Sequence, residues 1–145
     1  MAKTDTTTHT PTTPENAGEW HHFDAQGEVL GRLATRAAAL LLGKHRFDFA
    51  KNVVAPVYVV ITNCDHVVLT GNKETQKMYR HYTGYPGGLK ERSVAEQRRR
   101  DSRVIVEEAI YGMLPKNNLR AERMRHLKLY AGATHPHLPQ IASPK

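Results

Sequence analysis

The sequence predicts an α/β fold: a three-layer α/β/α domain with a small, mostly parallel sheet and extended termini. Two observations carry this prediction. Strand-like segments alternate along the chain with segments whose apolar residues recur every three or four positions, which favours a layered domain with parallel strand pairs. In addition, the run from Val57 to Ile61 is mostly β-branched, which is typical of a strand covered on both faces.

The first half of the chain is predicted to contain a strand, a long helix and this buried strand. The first strand runs from Trp20 to Asp24. The helix runs from Leu30 to Leu42, because its apolar residues form a stripe with helical spacing. Gly43 follows the helix and can adopt the left-handed conformation of a C-terminal cap. Pro56 can precede the buried strand but could not lie inside it.

The second half is predicted to continue this alternation. A short strand runs from His66 to Thr70, and a third candidate strand runs from Lys77 to Tyr82, followed by a glycine-rich loop. Ser93 and Glu96 have the spacing of a capping box, so a helix begins at Ser93. The remaining predicted elements are a break near Asp101, a helix through Tyr111 that ends at Gly112, a short basic helix from Asn118 to His126, and a last strand from Leu127 to Tyr130.

The chain divides into an N-terminal extension and one domain. Residues 1–18 are rich in Thr and cannot bury enough apolar surface to order themselves, so we expect a disordered or partner-ordered extension. Residues 19–145 have the length of a single domain that ends in an extended tail. The extension resembles neither a secretory signal nor a transit peptide, and no apolar run approaches the ~20 residues that a membrane span requires. We therefore expect a cytoplasmic protein.

The whole excess of positive charge lies in the second half of the chain. Residues 1–72 hold six Lys and Arg against seven Asp and Glu, whereas residues 73–145 hold fifteen against seven. A one-sided positive field attracts a polyanion, so nucleic acid or an anionic membrane surface are the leading partners. The alternative is a solvated basic face that serves solubility alone.

Motifs for catalysis and for cofactor binding are missing from the sequence. Gly43-Lys44 lacks the earlier glycine of a phosphate-binding loop, since Ala38 stands there. The nine histidines include His21-His22 and His135-Pro136-His137, but a metal site would need distant ligands that a sequence does not reveal. Cys64 is the single cysteine and is expected to be a small buried hydrophobe. We therefore predict no enzyme, no cofactor and no metal.

The segment from Lys77 to Lys90 has the composition of an RNA-binding loop. Its cations alternate with aromatic rings, and its glycines allow a sugar-phosphate backbone to approach closely. Arg offers a planar fork to phosphate oxygens, whereas Tyr and His offer faces on which unpaired bases stack. The arginines from Arg98 to Arg103 and the basic residues from Lys116 to Lys128 extend this surface.

Several ordered sequence blocks resemble the family of bacterial large-subunit ribosomal protein thirteen, from about Trp20 to about Gln140. They are Asp24-Ala25, Leu30-Gly31-Arg32-Leu33-Ala34, Gly43-Lys44-His45, Leu69-Thr70-Gly71-Asn72-Lys73, Arg80-His81-Tyr82-Thr83-Gly84-Tyr85-Pro86-Gly87-Gly88-Leu89-Lys90, Gly112-Met113-Leu114-Pro115-Lys116-Asn117, Leu127-Lys128-Leu129-Tyr130-Ala131-Gly132 and His135-Pro136-His137.

The resemblance implies a non-catalytic structural constituent of the large ribosomal subunit that binds large-subunit ribosomal RNA, supports assembly and contacts neighbouring ribosomal proteins. We expect no small-molecule substrate and no membrane partner. Together with the basic composition, it predicts a set of RNA-binding residues. They are Arg32, Lys44, His45, Lys73, Lys77, Arg80, His81, Tyr82, Gly84, Tyr85, Gly87, Gly88, Lys90, Arg98, Arg99, Arg100, Lys116, Asn117, Arg120, Arg123, Arg125, Lys128, His135 and His137.

The chain departs from the family pattern in two places. Where the family has His-Val-Asp-x-Gly-Asp before the buried strand, this chain has the segment from Asn52 to Val57, without two carboxylates and a glycine. The Leu-Gly-Arg that precedes the last basic helix appears here as Leu119-Arg120-Ala121. The cation is thereby shifted by one position, about 100° around a helix.

Two rival functions use the same residues. An α/β enzyme acting on a phosphorylated substrate would use Lys44, Lys73 and Arg80 as phosphate ligands, and saturable nucleotide binding that is insensitive to RNA would identify it. A free RNA-binding regulator would use the whole basic surface, and it would fail to sediment with large ribosomal subunits.

Overall fold

The computed structural model describes residues 18–142, so the Thr-rich extension lies outside the described residues except for Gly18. A three-stranded parallel sheet forms the centre of the fold. Strand β2 (Val57–Thr62) lies between β1 (Glu19–Asp24) and β5 (Leu127–Leu129), and both pairs are parallel. The predicted α/β class, the first strand, the buried strand and the last strand are confirmed.

Helix α1 (Leu30–Leu42) connects β1 to β2 and packs its apolar stripe against the sheet. Leu33, Ala37 and Leu41 are buried on this stripe, as the spacing predicted. Gly43 ends the helix at φ 76°, and a Cβ atom there would lie 2.8 Å from Cβ of Ala55. Both the left-handed backbone and the close approach require glycine at this position.

The two faces of the central sheet are covered differently. Val59 and Ile61 point to one face, where they join the core formed with α1. Val60 and Thr62 alternate with them and are also buried. Their face lies under the C-terminal tail, because His135 stacks on His22 of β1 and the terminal helix contacts β1. The sheet is therefore covered on both sides, by helices on one and chiefly by the tail on the other.

The predicted strand from His66 to Thr70 is wrong. A 3-10 turn (Cys64–His66) stands at its start, and only Val68 makes a single parallel bridge, to Val29. Leu30 N donates to Val68 O at 2.9 Å, and Val68 N donates to Glu28 O at 2.9 Å. The segment thus hydrogen-bonds to the start of α1 rather than to the sheet.

The third candidate strand exists, but it belongs to a separate antiparallel hairpin. Strand β3 (Met78–Tyr82) pairs with β4 (Leu89–Ser93), which sequence reasoning had missed. A short helix α2 (Lys73–Gln76), also missed, precedes β3. The tail contains one further unpredicted helix, α6 (Leu138–Ala142). These elements are too short to show a clear period in the sequence.

Three helices lie between the hairpin and β5 along the chain. Helix α3 (Val94–Asp101) begins at Ser93, whose hydroxyl accepts from the Glu96 amide at 3.2 Å, as predicted. Helix α4 (Arg103–Met113) follows the expected break and packs on α1. It runs through Gly112, so the predicted end at that glycine is wrong. The basic helix α5 (Leu119–Arg125) is confirmed.

Candidate nucleic-acid interface

A groove of about 750 Å³ lies beside the N-terminus of α1. It brings together three segments that are far apart in the sequence: the start of α1, the loop that leads into α2, and the end of α4. The lining residues are Val29, Leu30, Gly31, Arg32, Val68, Leu69, Thr70, Gly71, Asn72, Lys73, Gln76, Lys77, Ala109 and Met113. Three of the predicted RNA-binding cations, Arg32, Lys73 and Lys77, therefore share one groove.

The electrostatics of this groove favour an anion. Helix α1 has no acidic residue in its first turn, and the N-terminal end of a helix carries a partial positive charge. At two lining glycines, Gly31 and Gly71, a Cβ atom would meet no described residue within 4 Å, so their backbone is open to a ligand. Sequence reasoning missed Gly31, Thr70, Asn72 and Gln76 as lining residues, although family blocks that it had quoted contain the first three.

The β3–β4 hairpin begins at the edge of the groove, because Lys77 lines the groove and Met78 starts β3. Tyr79 fixes the hairpin to the domain: its ring is buried, and this burial raises the pKa of its hydroxyl to about 12. The amine of Lys77 lies 5.0 Å from the centre of that ring. The base of the hairpin is thus held, whereas its far end projects.

The far end of the hairpin presents exposed aromatic rings and open backbone. Tyr82 is 60% exposed and Tyr85 is 75% exposed. The loop is closed by Thr83 N donating to Gly88 O at 3.1 Å, and a Cβ at Gly88 would collide with the Thr83 hydroxyl. Gly84 and Gly87 adopt positive φ angles of 90° and 72°, and within residues 18–142 nothing lies within 4 Å of a Cβ atom added at either.

The polar and charged side chains of the hairpin differ in whether they are paired with a carboxylate. Arg80 faces Glu91 across the strands, and its Nε lies 2.5 Å from the carboxylate. His81 and Lys90 are also cross-strand neighbours, and both are exposed. His81 and Lys90 therefore face solvent together, whereas the Arg80 guanidinium is paired with a carboxylate.

The three consecutive arginines of α3 divide into one anchor and two exposed side chains. Arg98 donates to Asp65 O at 2.9 Å and to Val67 O at 3.2 Å, and its guanidinium lies 3.4 Å from the Glu74 carboxylate. It therefore joins α3 to the preceding loop and to α2. Arg99 and Arg100 are exposed.

Helix α5 contains buried cations where an accessible basic face was expected. Arg123 is only 1% exposed and Arg120 is 9% exposed. The Arg120 guanidinium stacks 4.3 Å above the Tyr111 ring and donates to Pro115 O, whereas Arg123 reaches Lys51 O and Val53 O at 3.4 and 3.5 Å. The long side chains of these two arginines therefore pack inside the protein rather than at its surface.

Three other predicted RNA-binding residues near α5 remain accessible. Lys116 and Asn117, in the loop before the helix, and Arg125, in its last turn, are all exposed. Arg123 also reaches the segment that departs from the family pattern, because its guanidinium donates to the main-chain oxygen of Val53 there and to that of Lys51 just before it.

His135 and His137 lie in an aromatic cluster on the tail side of the sheet. Trp20 stacks on Tyr58 with 4.5 Å between ring centres, and His137 lies 5.0 Å from Trp20. Burial, followed by the nearby charges of Lys128 and His135, lowers the pKa of His137. His137 is thus held as a neutral stacking ring, apart from the groove. The structure does not gather all predicted residues on one face.

Lys44 and His45 lie in the turn after α1, away from the residues that line the groove. His45 Nε2 lies 3.1 Å from Glu19 Oε2, and His21 Nε2 lies 2.8 Å from Glu19 Oε1. Partial burial acts to raise the pKa of Glu19, but the hydrogen bond and charge of His45, together with the charge of His21, outweigh it and lower the pKa. Sequence reasoning missed Glu19 and His21 as neighbours of His45.

The phosphate-binding set of the rival enzyme is not assembled. Lys73 lines the groove, but Lys44 and Arg80 do not. Cys64 is fully buried, and its burial raises the pKa of the thiol to about 11, so it is no nucleophile at neutral pH. Among residues 18–142, no helix combines the length and the apolar character needed to cross a membrane.

Comparison with known proteins identifies the family. The model of the family "Ribosomal protein L13" matches residues 18–136. A large ribosomal subunit protein uL13 from Solibacter usitatus is 50% identical over 122 residues, 84% of this chain and 85% of its own length. The uL13 of Beutenbergia cavernae is 49% identical over 130 residues (90% and 88%), and that of Kocuria rhizophila is 48% identical over 138 residues (94% and 93%). The chain therefore belongs to the ribosomal protein L13 family, a structural and non-enzymatic component of the large ribosomal subunit.

Proposed function

We propose that this protein binds large-subunit ribosomal RNA through the groove beside α1 and the adjoining β3–β4 hairpin, and thereby supports subunit assembly. The observation that carries the proposal is the convergence of Arg32, Lys73 and Lys77 on a groove from which an exposed aromatic hairpin projects. Neighbouring ribosomal proteins are its expected partners, as for other constituents of the subunit.

The groove and the hairpin would contribute different interactions. The cations of the groove would neutralise phosphates and fix the position of the RNA backbone. Tyr82 and Tyr85 would stack on unpaired bases, which is how proteins commonly contact irregular RNA. The open backbone at Gly84 and Gly87 leaves room for a sugar-phosphate chain to approach.

Other exposed residues extend this surface. Arg99, Arg100 and Lys90 are exposed, as are Lys116, Asn117 and Arg125 before and within α5. We leave Arg98, Arg120 and Arg123 out of the proposed interface, because their guanidinium groups are engaged within the protein.

The test is the salt dependence of binding to a transcript of large-subunit ribosomal RNA. Each neutralised phosphate contributes about 0.9 to the slope of log affinity against log salt concentration. Replacing Lys73 and Lys77 with Gln should make the slope shallower by about one to two. Lys51→Gln, at an exposed lysine outside the groove, is the matched control and should leave it unchanged. Equal slopes for all three proteins would contradict the proposal.

A further inference from the structure

Three side chains with metal-binding atoms meet at the edge of the domain, outside the proposed RNA interface. They are Glu19, His21 and His45, and their ligand atoms all lie within 4.8 Å of one another. Ligands about 2.0–2.1 Å from a tetrahedral zinc ion lie about 3.3 Å apart. His21 Nε2 lies 2.8 Å from Glu19 Oε1 and His45 Nε2 lies 3.1 Å from Glu19 Oε2, so each imidazole is slightly closer to one carboxylate oxygen than that spacing.

The fold holds each of these side chains in place. Glu19 and His21 stand two residues apart on β1, so they point to the same face of the sheet. His45 follows the glycine that ends α1, and Lys44 N donates to Ala39 O at 3.2 Å to fix this turn. The site is therefore built from a strand and a capped helix end, which sequence spacing alone does not bring together.

One atom of the cluster has no hydrogen bond. His21 Nε2 is inaccessible to solvent and lacks a hydrogen-bond partner among the described residues, although it lies 2.8 Å from Glu19 Oε1. The two groups are close enough for an electrostatic attraction, yet no hydrogen bond joins them. A buried, unpartnered nitrogen is costly, and a shared cation would satisfy it and the carboxylate together.

We propose that Glu19, His21 and His45 bind a Zn²⁺ ion. Two imidazoles and a carboxylate are a ligand set that suits zinc, whereas Mg²⁺ and Ca²⁺ prefer oxygen ligands. All three side chains are partly exposed, at 29 to 37%, so a water molecule can complete the tetrahedron.

One positive charge beside the cluster, that of Arg46, is already paired. Arg46 Nη1 lies 3.8 Å from Glu19 Oε2, which would by itself disfavour a cation. However, Nε and Nη2 of Arg46 donate to the two oxygens of Asp48, each at 2.8 Å. The guanidinium can therefore stay with Asp48 while the Glu19 carboxylate binds the metal.

The test is calorimetric titration of the full-length, chelator-treated protein with ZnCl₂ in the absence of RNA. We expect saturable binding that MgCl₂ does not reproduce, and a rise in the unfolding temperature with zinc concentration. His45→Ala and Glu19→Gln should each weaken zinc binding by about tenfold or more. His66→Gln, at an exposed histidine outside the cluster, is the matched control and should bind zinc like the parent protein.

Imidazole nitrogen spectra provide a second readout that does not depend on stability. Zinc should shift the side-chain nitrogen resonances of His21 and His45 and leave those of His66 in place. No zinc binding would overturn the proposal, and so would binding that survives both variants with shifts confined to His135 and His137. Because RNA is absent, these outcomes are independent of the proposed RNA-binding function.

Discussion

The β3–β4 hairpin and helix α5 have similarly basic sequences, yet α5 buries two of its three arginines, whereas Arg80 and Lys90 of the hairpin are exposed. The hairpin leaves His81, Lys90 and the ring of Tyr85 in solvent. Helix α5 buries Arg120 and Arg123 against a tyrosine ring and main-chain carbonyls. Positive charge in a sequence therefore does not by itself identify a phosphate-binding surface, because an arginine can also serve packing and hydrogen bonding.

The largest expected effect is the loss of stability on replacing Arg123 with Ala. The substitution leaves a cavity inside the domain and removes the hydrogen bonds to the loop of Lys51 and Val53. We expect the free energy of unfolding to fall by about 2–4 kcal/mol. Urea denaturation measures this change.

The same Arg123 variant also tests whether this arginine contacts RNA. At a temperature where it is folded, the salt dependence of its RNA binding should equal that of the parent protein. Arg123→Met keeps most of the side-chain volume and should recover much of the lost stability, since a buried cation is replaced by an apolar chain. A shallower salt slope with unchanged stability would show instead that Arg123 contacts phosphate.

The second effect is the loss of RNA affinity on replacing Tyr85 with Ala. A base stacked on an aromatic side chain contributes about 1–3 kcal/mol, so the dissociation constant should rise by roughly five- to 150-fold. Because Tyr85 is exposed, the free energy of unfolding should change by less than about 0.5 kcal/mol. Filter binding measures the dissociation constant, and urea denaturation measures the free energy of unfolding. If the variant bound RNA as tightly as the parent protein, the hairpin tip would lie outside the interface.

Gly87 tests whether the RNA backbone approaches the hairpin loop closely. Asn tolerates the left-handed conformation observed at this position, whereas Val does not. Gly87→Val should therefore weaken RNA binding through loop strain of about 1–2 kcal/mol. Gly87→Asn should also weaken binding, because its side chain occupies the open space. Parental affinity of the Asn variant would count against close backbone contact.

The smallest effect is expected at α3. Replacing Arg99 and Arg100 with Gln should make the salt dependence of RNA binding shallower by about one for each phosphate that is no longer neutralised. Arg98→Gln should instead lower stability, because it removes the hydrogen bonds to Asp65 O and Val67 O. If Arg98→Gln alone changed the slope, the division of this arginine run into an anchor and an RNA-facing surface would be wrong.

The main elements of the fold could be predicted because their sequence patterns are long or end at a residue that is typical of a helix or strand boundary. The stripe of α1 with Gly43, the β-branched run of β2 and the Ser93 cap each combine a pattern with a boundary residue. Strand β4 could not be predicted, since Leu89 to Ser93 is polar and pairs locally outside the core. Gly112 misled the prediction because α4 tolerates it on an exposed face.

The candidate site was predictable only in part. Lys73, Tyr82 and Tyr85 were identified from composition and from the family blocks, and the structure places them at the groove and the hairpin. Burial of Arg120 and Arg123 was not predictable, because it depends on packing against Tyr111 and against a loop some 70 residues earlier in the chain. Packing between distant residues has no local sequence signal.

The most direct measurement is a map of ultraviolet crosslinks between this protein and ribosomal RNA in assembled large subunits. We expect crosslinked peptides to centre on Lys73, Lys77, Tyr82 and Tyr85. Peptides crosslinked only through the tail residues His135 and His137, with the groove and hairpin free of RNA, would contradict the account.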